Sequence, residues 1–241
     1  MQKRQLRSNE PVFTALILGS AALLYGVSSG RLPTALLEIK KQMETETTRV
    51  EAFSDGMFAI AITLLILEMK VPSPGQGQLA AALVRQWPSY LAFFLSFAFI
   101  GIMWMNHHRM FTHIQRSNDT LLVLNLLLLL GVTAVPFPTA VLATYLGTTQ
   151  QRTAALFYNG VFVVIAFFFN LIWRYAVSRR LLDESMLTSA ATISRQYALG
   201  PLMYILCFIV AWFDVRVSIA LSVALAIFYA LPPGLMGKST T

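Results

Sequence analysis

The fold turns on Arg49-Val50-Glu51-Ala52-Phe53-Ser54-Asp55-Gly56, which runs straight into Met57-Phe58-Ala59-Ile60-Ala61-Ile62-Thr63-Leu64-Leu65-Ile66-Leu67-Glu68. A polar cluster opens an apolar helix that carries no charge between Asp55 and Glu68. That run is long enough to cross a bilayer, whose hydrocarbon core takes roughly 20 apolar residues. A carboxylate just inside such a helix costs about 2.5–3.5 kcal/mol on insertion scales unless it is satisfied, so Asp55 demands partners.

Composition agrees with a membrane chain. Of 241 residues, 56% are hydrophobic and only 12% charged. Soluble domains carry about 25% charged residues. The net charge of +7 fits the lysines and arginines that orient membrane proteins. No basic stripe with interleaved aromatics is present, so nucleic acid is not an expected partner. Cys207 is the single cysteine and lies in an apolar run.

Working outward, the sequence predicts six core transmembrane helices in an all-α fold. The first covers about 50–70 and ends in the breaker-rich Pro72-Ser73-Pro74-Gly75-Gln76-Gly77. Leu79 to Arg85 reads as a short interfacial helix. The next spans are 88–114, 119–145 with Pro136 and Pro138 to kink it, 154–177, 197–212 and 217–231, the last stopped by Pro232-Pro233-Gly234. The third, fifth and sixth spans read as lipid-facing or structural.

The domain reading is an N-terminal extension (1–48), a six-helix membrane domain (49–235) and a short tail (236–241). The extension has a basic start and an apolar run from Pro11 to Gly30, which resembles a signal peptide or anchor. A start of translation at Met43 explains it equally well. The N-terminal region, Arg109, Arg116, Arg174, Arg179, Arg180, Arg195 and Lys238 fall on one side of the membrane. Lys70, Arg85, Arg152 and Arg216 fall on the other. The positive-inside rule then puts both termini in the cytoplasm.

At about 100° per residue, Ile60, Leu64 and Leu67 fall within about 60° of one another, and Thr63 flanks them about 60° from Ile60. Ser54 and Asp55 point about 120° and 140° away. One face is thus an apolar stripe beside a hydroxyl, and the other carries a polar pair. Arg49, six residues before Asp55, is a candidate ion-pair partner. In the second span, Trp104 and His108 share a face and can both serve a carboxylate, the indole as donor only. Adjacent His107 and His108 diverge by about 100° and have no nearby Cys, Asp or Glu, which argues against a metal site. No GxSxG, HExxH or P-loop occurs. The potassium-filter sequence Thr-Val-Gly-Tyr-Gly is also absent. Asp55 and the membrane-edge histidines leave a proton-coupled transporter as the rival to a channel.

The RxxxFSD pattern at Arg49, Phe53, Ser54 and Asp55, the continuation Thr63 to Glu68, the Trp87-Pro88 start of the second span and the Trp104, His107, His108 cluster resemble the transmembrane protein 175 potassium channel family. The likeness covers about 43–235, and residues 1–42 depart from it. It implies a bacterial single-repeat member in the cell membrane: a homotetramer with the first core helix of each subunit lining a central pore. Ile60 matches the narrowest apolar ring, Leu64 and Leu67 the rings beyond it, and Thr63 a layer that favours potassium. Arg49, Phe53, Ser54 and Asp55, with Trp104 and one of the two histidines, match a network that holds the pore helix. The resemblance implies potassium as permeant ion, the lipid bilayer as partner and no cofactor.

Overall fold

The computed structural model describes residues 34–73, 78–183 and 190–230. The readings of a signal-like start, of the Pro232-Pro233-Gly234 stop and of the tail lie outside them. The chain divides into two units, Met1–Thr45 and Glu46–Thr241. In the first, residues 34–45 are helical. Among the described residues, every stretch long and apolar enough to cross a membrane lies in the second.

The helices are α1 (Thr34–Leu64), continued by a 3-10 turn (Leu65–Glu68), then α2 (Leu79–Arg85), α3 (Trp87–His113), α4 (Asp119–Ala134), α5 (Pro136–Tyr145), α6 (Gln151–Ser178), α7 (Ala190–Phe213) and α8 (Val215–Ala230). Among the described residues the only β pairing is an isolated antiparallel bridge between Ile114 and Leu182. The four membrane-length stretches are Thr47–Glu68, Trp87–His113, Asp119–Tyr145 and Gln151–Ser178. Leu199–Phe213 and Val215–Ile227 are shorter apolar helices.

The break between α4 and α5 follows from proline chemistry. Pro136 and Pro138 have no N–H to give to the preceding turn. Val135 N–H closes a tighter bond to Val132 C=O at 3.2 Å instead. Past the break, Val135 C=O accepts both from Thr139 N–H at 3.1 Å and from the Thr139 hydroxyl at 2.8 Å.

Lipid offers little hydrophobic drive for one helix to seek another, so small residues and polar contacts matter more than in water. Ser96 Oγ of α3 lies 2.7 Å from Thr139 Oγ1 of α5 and 3.0 Å from the Tyr158 hydroxyl of α6. Asn159 of α6 donates to Ser218 Oγ of α8 at 3.1 Å, and Ser218 donates to the Cys207 carbonyl of α7 at 2.8 Å. Between these two points Phe99, Phe162 and Tyr204 form an aromatic trio, with ring centroids 5.0 to 5.8 Å apart.

The C-terminus of α6 closes as a Schellman turn: Leu181 N–H bonds Ala176 C=O at 2.9 Å and Arg180 N–H bonds Val177 C=O at 3.2 Å. The left-handed position of that motif usually belongs to glycine, yet here it is Arg180, with φ 54°.

Gly131 marks a close approach of α4 to α6. A Cβ built there would lie 2.8 Å from Cγ1 of buried Ile165. Gly131→Ala is therefore expected to destabilise by about 1–3 kcal/mol through overpacking, despite alanine's better helix propensity. Thermal unfolding in detergent checks this, and the double variant with Ile165→Ala should lose less than the two single losses added.

Candidate functional site: the two faces of the first core helix

From Arg49 onward α1 has one bare face and one anchored face. Arg49, Phe53, Gly56, Ile60, Thr63 and Leu64 are exposed along one arc, and Leu67 continues it. Ile60 is 52% exposed and Leu67 71%, large values for aliphatic side chains. Ser54, Phe58, Ala61 and Leu65 are buried on the opposite side. This division follows the 100° periodicity of the sequence. The final turn departs from it. Leu65–Glu68 is a 3-10 turn, and residues three apart eclipse in that geometry. Leu67 therefore stands nearly above Leu64, about 6 Å further along the axis.

The anchored face is held by a chain of hydrogen bonds running through three helices. Ser54 Oγ donates to Val50 C=O at 2.8 Å within α1. With its proton committed, the hydroxyl accepts from Asn125 Nδ2 of α4 at 2.9 Å. The other end of that amide, Oδ1, lies 2.9 Å from His107 Nε2 of α3. A carbonyl oxygen needs a donor, so His107 holds its proton on Nε2. Nδ1 is then a buried acceptor with no hydrogen-bond partner among the described residues. The imidazole stacks on Phe111, with centroids 4.3 Å apart, and sits 5.4 Å from the Phe58 ring.

A second, more exposed set of contacts flanks the chain. Trp104 Nε1 donates to Asp55 Oδ1 at 2.9 Å. One turn away, His108 Nδ1 lies 2.6 Å from Glu51 Oε1. The Trp104 and His108 rings stack, 6.4 Å apart at 25°. Glu51 and Asp55 on α1 thus face His108 and Trp104 on antiparallel α3 as two rungs.

The two histidines part company because neighbours on a helix diverge by about 100°. His107 enters the buried chain and His108 pairs with Glu51, not with Asp55. Arg49 forms no ion pair with Asp55 among the described residues. Six positions along a helix place the two about 9 Å apart in rise and about 120° apart in direction, and Arg49 lies on the exposed arc. Phe53 is exposed on the same arc. Among the described residues no group of three His, Cys, Asp or Glu side chains converges to hold a metal ion.

The third span, read as lipid-facing or structural and given no site residue, supplies Asn125, the centre of the buried chain. Its signal was present. A lone amide in Leu121-Leu122-Val123-Leu124-Asn125-Leu126-Leu127 is expensive in lipid without a partner, which marks it as engaged.

Residues 49–136 match the family described as endosomal/lysosomal potassium channel TMEM175. The chain is 46% identical over 193 residues to a potassium channel of Chamaesiphon minutus, covering 78% of this chain and 95% of that protein. It is 46% identical over 188 residues to a potassium channel of Streptomyces collinus, covering 76% and 91% respectively. The crystal structure of a lysosomal potassium-selective channel TMEM175 homolog from Chamaesiphon minutus matches with a TM-score of 0.72 at 44% identity, covering 81% of this chain and 100% of that one.

Asn125→Leu is expected to cost about 1–3 kcal/mol, because it leaves the buried His107 Nε2–H without an acceptor. Trp104→Phe keeps a ring but removes the donor to Asp55, at a more exposed site, and should cost less. Thermal unfolding of the two variants side by side reads the order. If Trp104→Phe were the more damaging, the exposed rungs and not the buried chain would be the main hold on α1.

Proposed function

The chain belongs to the TMEM175 family, and from that premise we propose that it is a potassium-permeable cation channel. The family is one of ion channels, and the chain is a membrane protein, not an enzyme. In this reading it assembles as a homotetramer in the bacterial cell membrane with both termini in the cytoplasm. Closed rotational symmetry lets one helix face from each subunit meet on an axis. Six helices cross the bilayer, α7 and α8 being the fifth and sixth. No resident cofactor is required.

The observation that carries the proposal is the bare arc of α1. A lipid-facing helix has no use for a hydroxyl and a glycine on its outer face. Here Thr63 and Gly56 interleave with Phe53, Ile60, Leu64 and Leu67. Four copies of Ile60 would form an apolar ring narrow enough to close by dewetting. Leu64 and Leu67, nearly eclipsed in the last turn, would continue it as stacked rings. The Thr63 hydroxyl donates to Ile60 C=O at 2.9 Å. Its proton is thus engaged and its oxygen lone pair is left for a passing cation. With few polar groups to replace the hydration shell, discrimination between potassium and sodium should be weaker than in a carbonyl-lined filter.

Ser54, Asp55, Trp104, His107 and Asn125 serve in this reading as the brace that keeps the bare arc turned to the axis, with His108 and Glu51 beside them. A proton-coupled transporter has less support. Asp55 bonds to Trp104 and His107 to Asn125, so neither joins the other in a relay, and the one carboxylate–imidazole contact among the described residues, Glu51 with His108, involves an exposed imidazole.

Single-channel recording after reconstitution tests the proposal. Currents should favour potassium over sodium, and Ile60→Asn should raise conductance roughly twofold or more by wetting the constriction. Flux unchanged in both Ile60→Asn and Leu64→Asn, or a stable monomer in mild detergent, would remove the central pore.

A further inference from the structure

At the end of the molecule where α3 and α6 finish and α4 begins, three arginines gather on one small scaffold. The Ile114–Leu182 bridge joins the segment after α3 to the segment after α6. Gln115 N–H and Arg116 N–H both bond Leu181 C=O, at 2.9 and 3.3 Å, and Asp183 N–H bonds His113 C=O at 3.2 Å. This antiparallel clip brings Arg116 alongside Arg180. Arg179 lies with its guanidinium carbon 5.8 Å from the Tyr175 ring centre. The Tyr175 hydroxyl in turn meets Asn118 Nδ2 at 3.1 Å, two residues from Arg116.

All three arginines are exposed, and among the described residues none forms a salt bridge. The neighbouring Asp183 carboxylate accepts from Gln115 Nε2 at 2.7 Å. Like charges set side by side across a strand pair are destabilising, and Arg180 also occupies a left-handed position, φ 54°, that favours glycine. The charge repulsion is relieved if a shared anion lies between the guanidinium groups, which hold phosphate oxygens bidentately, and such a role gives a reason for arginine where glycine would suit the backbone better. The clip joins the ends of two membrane-length helices, Trp87–His113 and Gln151–Ser178, which is the depth at which lipid phosphates lie.

We propose that Arg116, Arg179 and Arg180 form a headgroup site for an anionic phospholipid, clamping α3 to α6. The site rests on the reading of the chain as a bilayer-spanning protein. Tyr175 positions Arg179 from below, and the bound phosphate neutralises the arginine pair across the clip.

The test uses the full chain, its thermal unfolding midpoint and lipid retention in native mass spectrometry, with phosphatidylglycerol, phosphatidylcholine or inorganic phosphate added. Phosphatidylglycerol should raise the wild-type midpoint by about 3 °C or more, and phosphatidylcholine should not. Arg180→Gly is the informative variant, because glycine suits the left-handed position. It should fold at least as stably as the wild type in phosphatidylcholine and yet lose most of the phosphatidylglycerol increment. Arg116→Gln combined with Arg179→Gln should also lose it, and Arg152→Gln, at the opposite end of α6, should keep it. A full increment in Arg180→Gly and in the Arg116→Gln/Arg179→Gln variant overturns the site. So does an equal shift from millimolar inorganic phosphate, which would mark a soluble-anion site. Floating the protein with liposomes reads the membrane premise separately: a chain that does not float fails there, whatever its lipid preference.

Discussion

The side-chain amide of Asn125 ties together three helices that would otherwise have little reason to meet in one register. Its nitrogen holds Ser54 of α1 and its oxygen takes the proton of His107 on α3, while its own backbone belongs to α4. Each bond has one orientation, because Ser54 has already committed its hydrogen to Val50. Aliphatic packing holds a helix by volume and shape, which other apolar side chains of similar size can also satisfy. A directional chain in a low-dielectric interior adds a specific register, since rotation would strand buried donors and acceptors. The orientation of α1, and with it the direction of every residue on the bare arc, depends on this chain.

Three polar clusters divide the work of holding the bundle. The Asn125 chain fixes α1 against α3 and α4. The Ser96, Thr139 and Tyr158 contact closes the proline break against α3 and α6. The Asn159 and Ser218 contact brings α8 onto α6, and the Cys207 carbonyl adds α7. Each cluster is small and buried, and its members bond one another, as lipid requires of polar groups. Gly131 supplies the complementary device, a missing side chain that lets α4 approach α6 where no polar contact is needed.

The helical content and some span edges were readable from hydropathy and punctuation, although α1 begins at Thr34 rather than about 50 and α7 at Ala190 rather than about 197. The span expected over 88–114 is found at Trp87–His113, and the short helix expected at Leu79–Arg85 has those bounds. The separation of α1 into an apolar stripe and a polar side also follows from arithmetic on the sequence, because a helix imposes a fixed angle per residue. Less readable was the choice of partner. Arg49 and Asp55 are close along the chain and opposite in charge, yet helix geometry sets them on different faces. Glu51 lies one turn from Asp55 with no sequence feature to single it out, and it is the residue that meets His108.

Sequence alone settled what is local: which segments are helical and apolar, where proline breaks the third span, and which residues of α1 share a face. These depend on backbone periodicity and on the absence of a proline N–H, both properties of the chain itself. Tertiary structure decided what depends on proximity: that Trp104, not Arg49, meets Asp55, that Asn125 holds Ser54, that His107 is enclosed while His108 reaches Glu51, and that Arg116 comes beside Arg180. A hydrogen bond acts over about 3 Å, and separations of 71 residues between Ser54 and Asn125 carry no trace of that distance until the helices pack.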